Sequence, residues 1–70
     1  MNTKPRDEND FTEDEGRVIS ISKKGLSRLL MAKELEMNFN TLDDHFRNIY
    51  DRLGIHNLTQ LAMYAIKMGY

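Results

Sequence analysis

The stretch GLSRLLMAKELEMNFNTLDDHFRNIYDRLGIHNLTQLAMYAIKMG, which spans residues 25–69, decides the fold. Ser27 stands where it can cap a short amphipathic helix that ends near Leu35, and Asn38 can cap a longer one that Gly54 stops. Only residues 36–38 remain for the turn between these two helices. Apolar residues recur at helical spacing along the longer helix, at Leu42, Phe46, Ile49 and Leu53. Two helices joined by so tight a connection predict a helix-turn-helix pair.

Helix signals also flank this pair on both sides. Thr12 and Glu15 form a capping box, in which each side chain can bond the backbone amide of the other residue, and Gly25 can stop the helix that follows. Asn57 can cap a last helix that Gly69 closes. These signals predict an all-α domain over residues 11–70, with helices near 12–23, 27–35, 39–53 and 57–68 and no β-strand within residues 25–69. From the second and fourth helices, the residues expected in the core are Leu30, Met31, Leu35, Leu61, Ala62, Ala65, Ile66 and Met68.

Charge is unevenly distributed along the 70 residues, whose formal net charge is −1. Residues 1–17 hold three basic and six acidic groups, whereas residues 18–70 hold seven basic and five acidic groups. The first ten residues, MNTKPRDEND, are polar, contain the only proline and show no apolar periodicity, which predicts a disordered acidic leader. The remainder is mildly basic, a weak electrostatic signature for a nucleic-acid-binding protein.

Composition argues against several classes of protein. The chain has no cysteine, and its two histidines, His45 and His56, are far apart, so we expect no metal and no cofactor. No apolar run approaches the roughly 20 residues of a membrane span, and there is no signal-peptide core. These absences favour a cytoplasmic protein without a membrane partner. No nucleophile stands with a base, and there is no glycine-rich phosphate loop, so an enzyme is not expected.

From Phe11 to Tyr70, without gaps, the chain resembles the LuxR/GerE-type helix-turn-helix domain of bacterial transcription regulators. The motifs that carry the resemblance are Phe11-Thr12 with Glu15 and Val18-Ile19, Gly25-Leu26-Ser27, Met31-Ala32, Thr41-Leu42-x-x-His45-x-x-Asn48-Ile49-x-x-Arg52-Leu53-Gly54-Ile55, and Thr59-Gln60 with Ala65 and Gly69. The resemblance implies a four-helix fold, a third helix that enters the major groove of DNA, and dimerisation through the last helix.

Departures from the family pattern are concentrated at positions that face DNA in relatives. Leu29-Leu30 stands where relatives usually have Lys-Glu, Arg28 where they have Asn, and Asp43 where they have a Lys that approaches DNA. An Asp at a groove opposes phosphate, although a carboxylate can accept from cytosine N4. Two functions therefore remain open. The first is a small DNA-binding transcription regulator that acts as a homodimer. The alternative is a protein-interaction module that binds another transcription regulator and not DNA. The initiating Met1 favours a stand-alone regulator over a fragment of a longer chain.

For a regulator, the residues expected at double-stranded DNA lie on or near the second and third helices: Lys24, Arg28, Asn40, Thr41, Asp43, Asp44, Arg47 and Asn48. The residues expected at a homodimer interface lie on the last helix: Leu58, Met63, Tyr64 and Lys67. Simpler roles stay open for several of these residues, and Lys24 and Arg28 can belong to an ordinary solvated surface. Arg47 can form solvated ion pairs with an Asp one turn earlier, and Asn48 can satisfy a neighbouring backbone group. His45 is expected to pack beside the core.

Overall fold

A computed structural model describes residues 11–70 of the protein, so the predicted acidic leader lies outside the described residues. Helix α1 spans Glu13–Ile21 and continues into a 3-10 turn at Ser22–Lys24. Helices α2, α3 and α4 span Arg28–Leu35, Phe39–Leu53 and Leu58–Met68. No strand occurs within residues 11–70, which confirms the all-α helix-turn-helix prediction.

Each of the four helices begins at a side-chain cap that accepts a backbone N–H three residues later. The distances from the donor nitrogen to the cap oxygen are 3.2 Å at Thr12, 3.2 Å at Ser27, 2.8 Å at Asn38 and 2.8 Å at Asn57. At α1 the box is complete, because the N–H of Thr12 also donates to Glu15 Oε1 at 3.1 Å. Such caps contribute about 1 kcal/mol each, and they fix where the short helices start.

Left-handed residues end the helices. Gly25, Gly54 and Gly69 adopt positive φ angles, as the sequence predicts, but the α-helical part of α1 stops at Ile21, two residues earlier than expected. Helix α2 ends differently, because its left-handed residue is Glu36, with φ 57°, and not a glycine. A left-handed residue with a Cβ costs about 1–2 kcal/mol. That cost is borne at the connection that sets the angle between the two helices.

The core fills the space between α1 and the other three helices. Its fully buried large side chains are Val18, Ile19, Met31, Leu42, Phe46, Ile49 and Leu61. The expectation that Leu30, Ile66 and Met68 belong to this core is wrong, since they are 48%, 68% and 49% exposed. Helix α2 buries Met31 and Leu35, which are four residues apart, and Leu30 lies about 100° away from Met31 around the axis. In α4, Ile66 is displaced in the same way from buried Ala65.

Three polar contacts hold the helix-turn-helix pair on α1. The buried carboxylate of Glu15 accepts from the Asn48 side-chain amide on α3 and lies 4.0 Å from Arg52 Nη1. Arg17 Nη2 donates to the carbonyl of Leu35 at the end of α2, at 3.4 Å. Helix α3 is thereby fixed on α1 through a side chain that also caps α1.

Candidate nucleic-acid interface

Helix α3 buries one face and presents a polar one. Leu42, Phe46 and Ile49 are fully buried, whereas the side chains of Asp44 and Arg47 are 75% and 76% exposed. The helix has 15 residues and is therefore about 22 Å long. An α-helix is about 10–12 Å across with its side chains, so it fits the B-DNA major groove, which is about 12 Å wide.

Asp43 joins an arginine from each helix of the pair. Its Oδ1 accepts a hydrogen bond from Arg28 Nη1 at the start of α2. Its Oδ2 lies 3.6 Å from Arg47 Nη2, and Arg47 Nη1 lies 3.9 Å from Asp44 Oδ1. These four residues, which we call the arginine–aspartate cluster, carry two positive and two negative charges.

Arg28 also rests on the core. The carbon at the centre of its guanidinium lies 4.7 Å from the centroid of the Phe46 ring, a cation–π arrangement. Phe46 is fully buried, and with Arg28, Asp43, Arg47 and Tyr50 it lines a shallow depression of about 210 Å³. The cluster is therefore anchored to the interior at one end and exposed at the other.

The individual ion pairs of the cluster are weak. The Arg28 and Asp43 side chains are 41% and 38% exposed, and pairs so open to solvent contribute up to about 1 kcal/mol. The two pairs of Arg47 with Asp43 and Asp44 contribute a few tenths of a kcal/mol each. The cluster therefore contributes little to the stability of the fold.

The bond between Arg28 and Asp43 was not foreseen from sequence, because the two residues are 15 positions apart. A signal for it was nevertheless present. Both positions depart from the family pattern, one gaining a positive charge and the other a negative one. Two opposite changes of charge in one motif are what a new ion pair between the helices would produce.

The structure places the other residues predicted at DNA outside this cluster. Asn40 and Thr41 are exposed in the first turn of α3. Lys24 Nζ lies 3.2 Å from Glu34 Oε1. Asn48 donates to Glu15, so its partner is a side chain rather than the backbone group considered from sequence.

The last helix carries the predicted dimer residues on two different faces. Met63 and Lys67 are exposed, whereas Tyr64 is half-buried against Phe11 and Tyr70, with ring centroids 6.5 and 5.9 Å away. Leu58 is also half-buried. Ile66, which was expected in the core, lies three residues from Met63 and on the same side of the helix. The two most exposed apolar side chains of α4 are therefore Met63 and Ile66, which are 64% and 68% exposed.

No group of three or more His, Asp or Glu side chains within residues 11–70 could hold a metal ion. No described helix is both long enough and apolar enough to cross a bilayer.

Comparisons with known proteins agree with the architecture. Residues 9–65 match the family model described as "Bacterial regulatory proteins, luxR family". The chain is 32% identical over 66 residues to the "Transcriptional regulatory protein LnrK" of Bacillus subtilis (strain 168). That match covers 94% of this chain and 30% of the relative, so the chain spans less than a third of the relative's length. No solved structure matches the chain significantly. The protein belongs to the luxR family of bacterial regulatory proteins.

Proposed function

We propose that this protein is a DNA-binding transcription regulator whose α3 enters the major groove, with two copies on a two-fold site. The observation that carries the proposal is the outward polar face of α3 in a domain of the luxR family. The similar LnrK protein is a transcriptional regulatory protein by name, which supports the same role here.

Electrostatics makes this a weak binder of random DNA. The arginine–aspartate cluster has no net charge, so the first turns of α3 add little attraction to phosphate. Two exposed cations, Lys23 and Lys24, stand shortly before α2 in the chain, and Lys24 also pairs with Glu34. If two cations of each copy reach phosphates, a dimer makes roughly four contacts, and log K falls with log salt with a slope of about −3.6.

The α4 surface supports a homodimer. Met63 and Ile66 form an exposed apolar pair, with Lys67 beside it. The described domain is 33 Å long in its largest dimension. Half-sites one helical turn apart are separated by about 34 Å, so two such domains can lie side by side on one face of a duplex.

The test is fluorescence anisotropy of a labelled random-sequence duplex, titrated with protein at about 50 and about 200 mM salt. Four contacts predict an affinity roughly 100-fold lower at the higher salt. Arg47→Ala should weaken binding at both salt concentrations. Asp51→Ala removes a charge of opposite sign one turn further along α3, and it should not weaken binding. A wild-type chain that shows no affinity at the lower salt would refute DNA binding.

A second function is favoured by one specific observation. Leu29 and Leu30 are 69% and 48% exposed at the start of α2, where relatives usually carry Lys-Glu. An apolar pair at this place suits contact with another protein, such as another transcription regulator, better than contact with phosphate. Under this alternative the wild-type chain binds no DNA in the anisotropy titration, and the double variant Leu29→Lys, Leu30→Glu gains DNA affinity.

A further inference from the structure

We propose that Asp43 is a positioning residue, which holds the guanidinium of Arg47 where it reads a guanine in the major groove. The inference rests on the proposed DNA-binding function and deepens it. Arg47, at the exposed end of the arginine–aspartate cluster, contacts a guanine. Asp43 holds Arg47 in place and does not itself contact DNA.

A chain of side-chain contacts leads from the core to the exposed Arg47. Buried Phe46 supports the guanidinium of Arg28, which donates to Asp43 Oδ1, and Asp43 Oδ2 faces Arg47 Nη2 at 3.6 Å. Asp43 is thus restrained by a partner on another helix. The attraction of this fixed carboxylate limits the positions of the Arg47 guanidinium, and a long side chain with fewer positions loses less rotamer freedom when it binds.

Arg47 is the member of the cluster suited to contact a base. Its side chain is 76% exposed, and its two carboxylate partners are 3.6 and 3.9 Å away, beyond hydrogen-bonding distance. Its N–H groups therefore remain available to acceptors. Arg28 is suited less, because it is half-buried, stacked on Phe46 and already donates to Asp43.

The chemistry of the exposed guanidinium selects the base. Guanine presents O6 and N7 as two adjacent acceptors in the major groove, and arginine donates to both at once. Cytosine would instead need a carboxylate as acceptor, and both oxygens of Asp43 already face an arginine. The same carboxylates repel phosphate, which lowers binding to random sequence and raises the ratio of specific to non-specific affinity.

The experiment combines selection with a modified base. Wild-type protein is used to select bound duplexes from a random library, and we expect one guanine to be enriched in each half-site. That guanine is then replaced by 7-deazaguanine, which pairs normally but lacks the N7 acceptor. Wild-type affinity should fall on the order of tenfold, which is within the range for a bidentate contact. Arg47→Ala should bind the two duplexes equally.

Asp43→Asn tests the positioning role, since it keeps the shape of the side chain and removes its charge. This variant should retain only about a two- to threefold preference for guanine over 7-deazaguanine, while its affinity for random duplex rises. Asp51→Asn is the matched control, because it removes the same charge from α3 at a residue outside the cluster. It should keep the full preference. Circular dichroism is used to check that each variant is folded.

The outcomes separate the two proposals. Absence of any wild-type binding to DNA overturns both of them. Binding without enrichment of guanine, or an unchanged preference in Asp43→Asn, overturns the positioning role and leaves DNA binding standing.

Discussion

Removal of the Glu15 carboxylate should both destabilise the fold and loosen α3. Glu15 is 6% exposed, and its side chain accepts from the N–H of Thr12 and from the side-chain amide of Asn48. In Glu15→Ala both donors lose this partner, and Arg52 loses a carboxylate 4.0 Å away. The first donor belongs to the cap of α1 and the second to α3, so one substitution acts on two helices.

The size of the stability loss in Glu15→Ala follows from the two hydrogen bonds. Hydrogen bonds to a charged group contribute about 1.5–3 kcal/mol each. Asn48 is exposed, however, so water can replace the Glu15 carboxylate as the acceptor of its side-chain amide. We therefore expect a loss of about 2 kcal/mol from both bonds together. A domain of this size is stable by roughly 4–10 kcal/mol, so the loss is a large part of the total. The melting temperature should fall by about 8–16 °C.

Urea unfolding followed by circular dichroism measures the change in free energy. Glu13→Ala is the matched control, because Glu13 lies in the same first turn and is exposed. It should change stability by no more than about 0.5 kcal/mol. A double-mutant cycle of Glu15→Ala with Asn48→Ala should give a coupling energy of about 1 kcal/mol. Equal effects of Glu15→Ala and Glu13→Ala, or full additivity with Asn48→Ala, would refute the link between α1 and α3.

Three other substitutions test separate parts of the molecule. Asp43→Lys should tighten binding to random duplex and steepen its salt dependence by about one phosphate contact, measured by anisotropy at two salt concentrations. Unchanged binding would show that α3 does not contact DNA. Ile66→Glu should abolish the homodimer in light scattering. The melting temperature should change little, because the side chain is 68% exposed in the domain. A dimer that persists would show that the interface lies elsewhere. Phe46→Ala should cost about 3–5 kcal/mol in urea unfolding, since the ring is fully buried; a loss under 1 kcal/mol would contradict the described core.

The helix boundaries were largely predictable because their signals are local. The caps at Thr12, Ser27, Asn38 and Asn57 act three residues along the chain, and the glycine stops act within one turn. The end of α1 was less predictable. The chain tightens there into a 3-10 turn before Gly25, which is a small change in hydrogen bonding that residue types do not specify.

The inward faces of the shorter helices were harder to predict. Helix α2 has eight residues, and four of its first five, Leu29 to Ala32, are apolar, so periodicity alone leaves the buried side undetermined. Packing on α1 and α3 buries Met31 and leaves Leu30 exposed. The same limit applies to Ile66 beside buried Ala65.

The residues of the candidate site were predictable from the sequence, but the contacts among them were not. Arg28, Asp43, Asp44 and Arg47 were all expected near DNA from the family pattern, and the structure groups them in one cluster. The bond between Arg28 and Asp43 depends on the angle between α2 and α3, which is set by the turn and by contacts with α1. No local signal in the sequence encodes that angle.

Titration of isotopically labelled protein with a short duplex, followed by NMR, tests most directly whether α3 lies in the major groove. We expect the amide shifts to change most from residue 39 to residue 48 and less near Lys23 and Lys24, while the amides of Met63 and Ile66 keep their shifts. Changes confined to α4 or to Leu29 and Leu30, with the amide shifts of α3 unchanged, would contradict the placement of α3 in the groove.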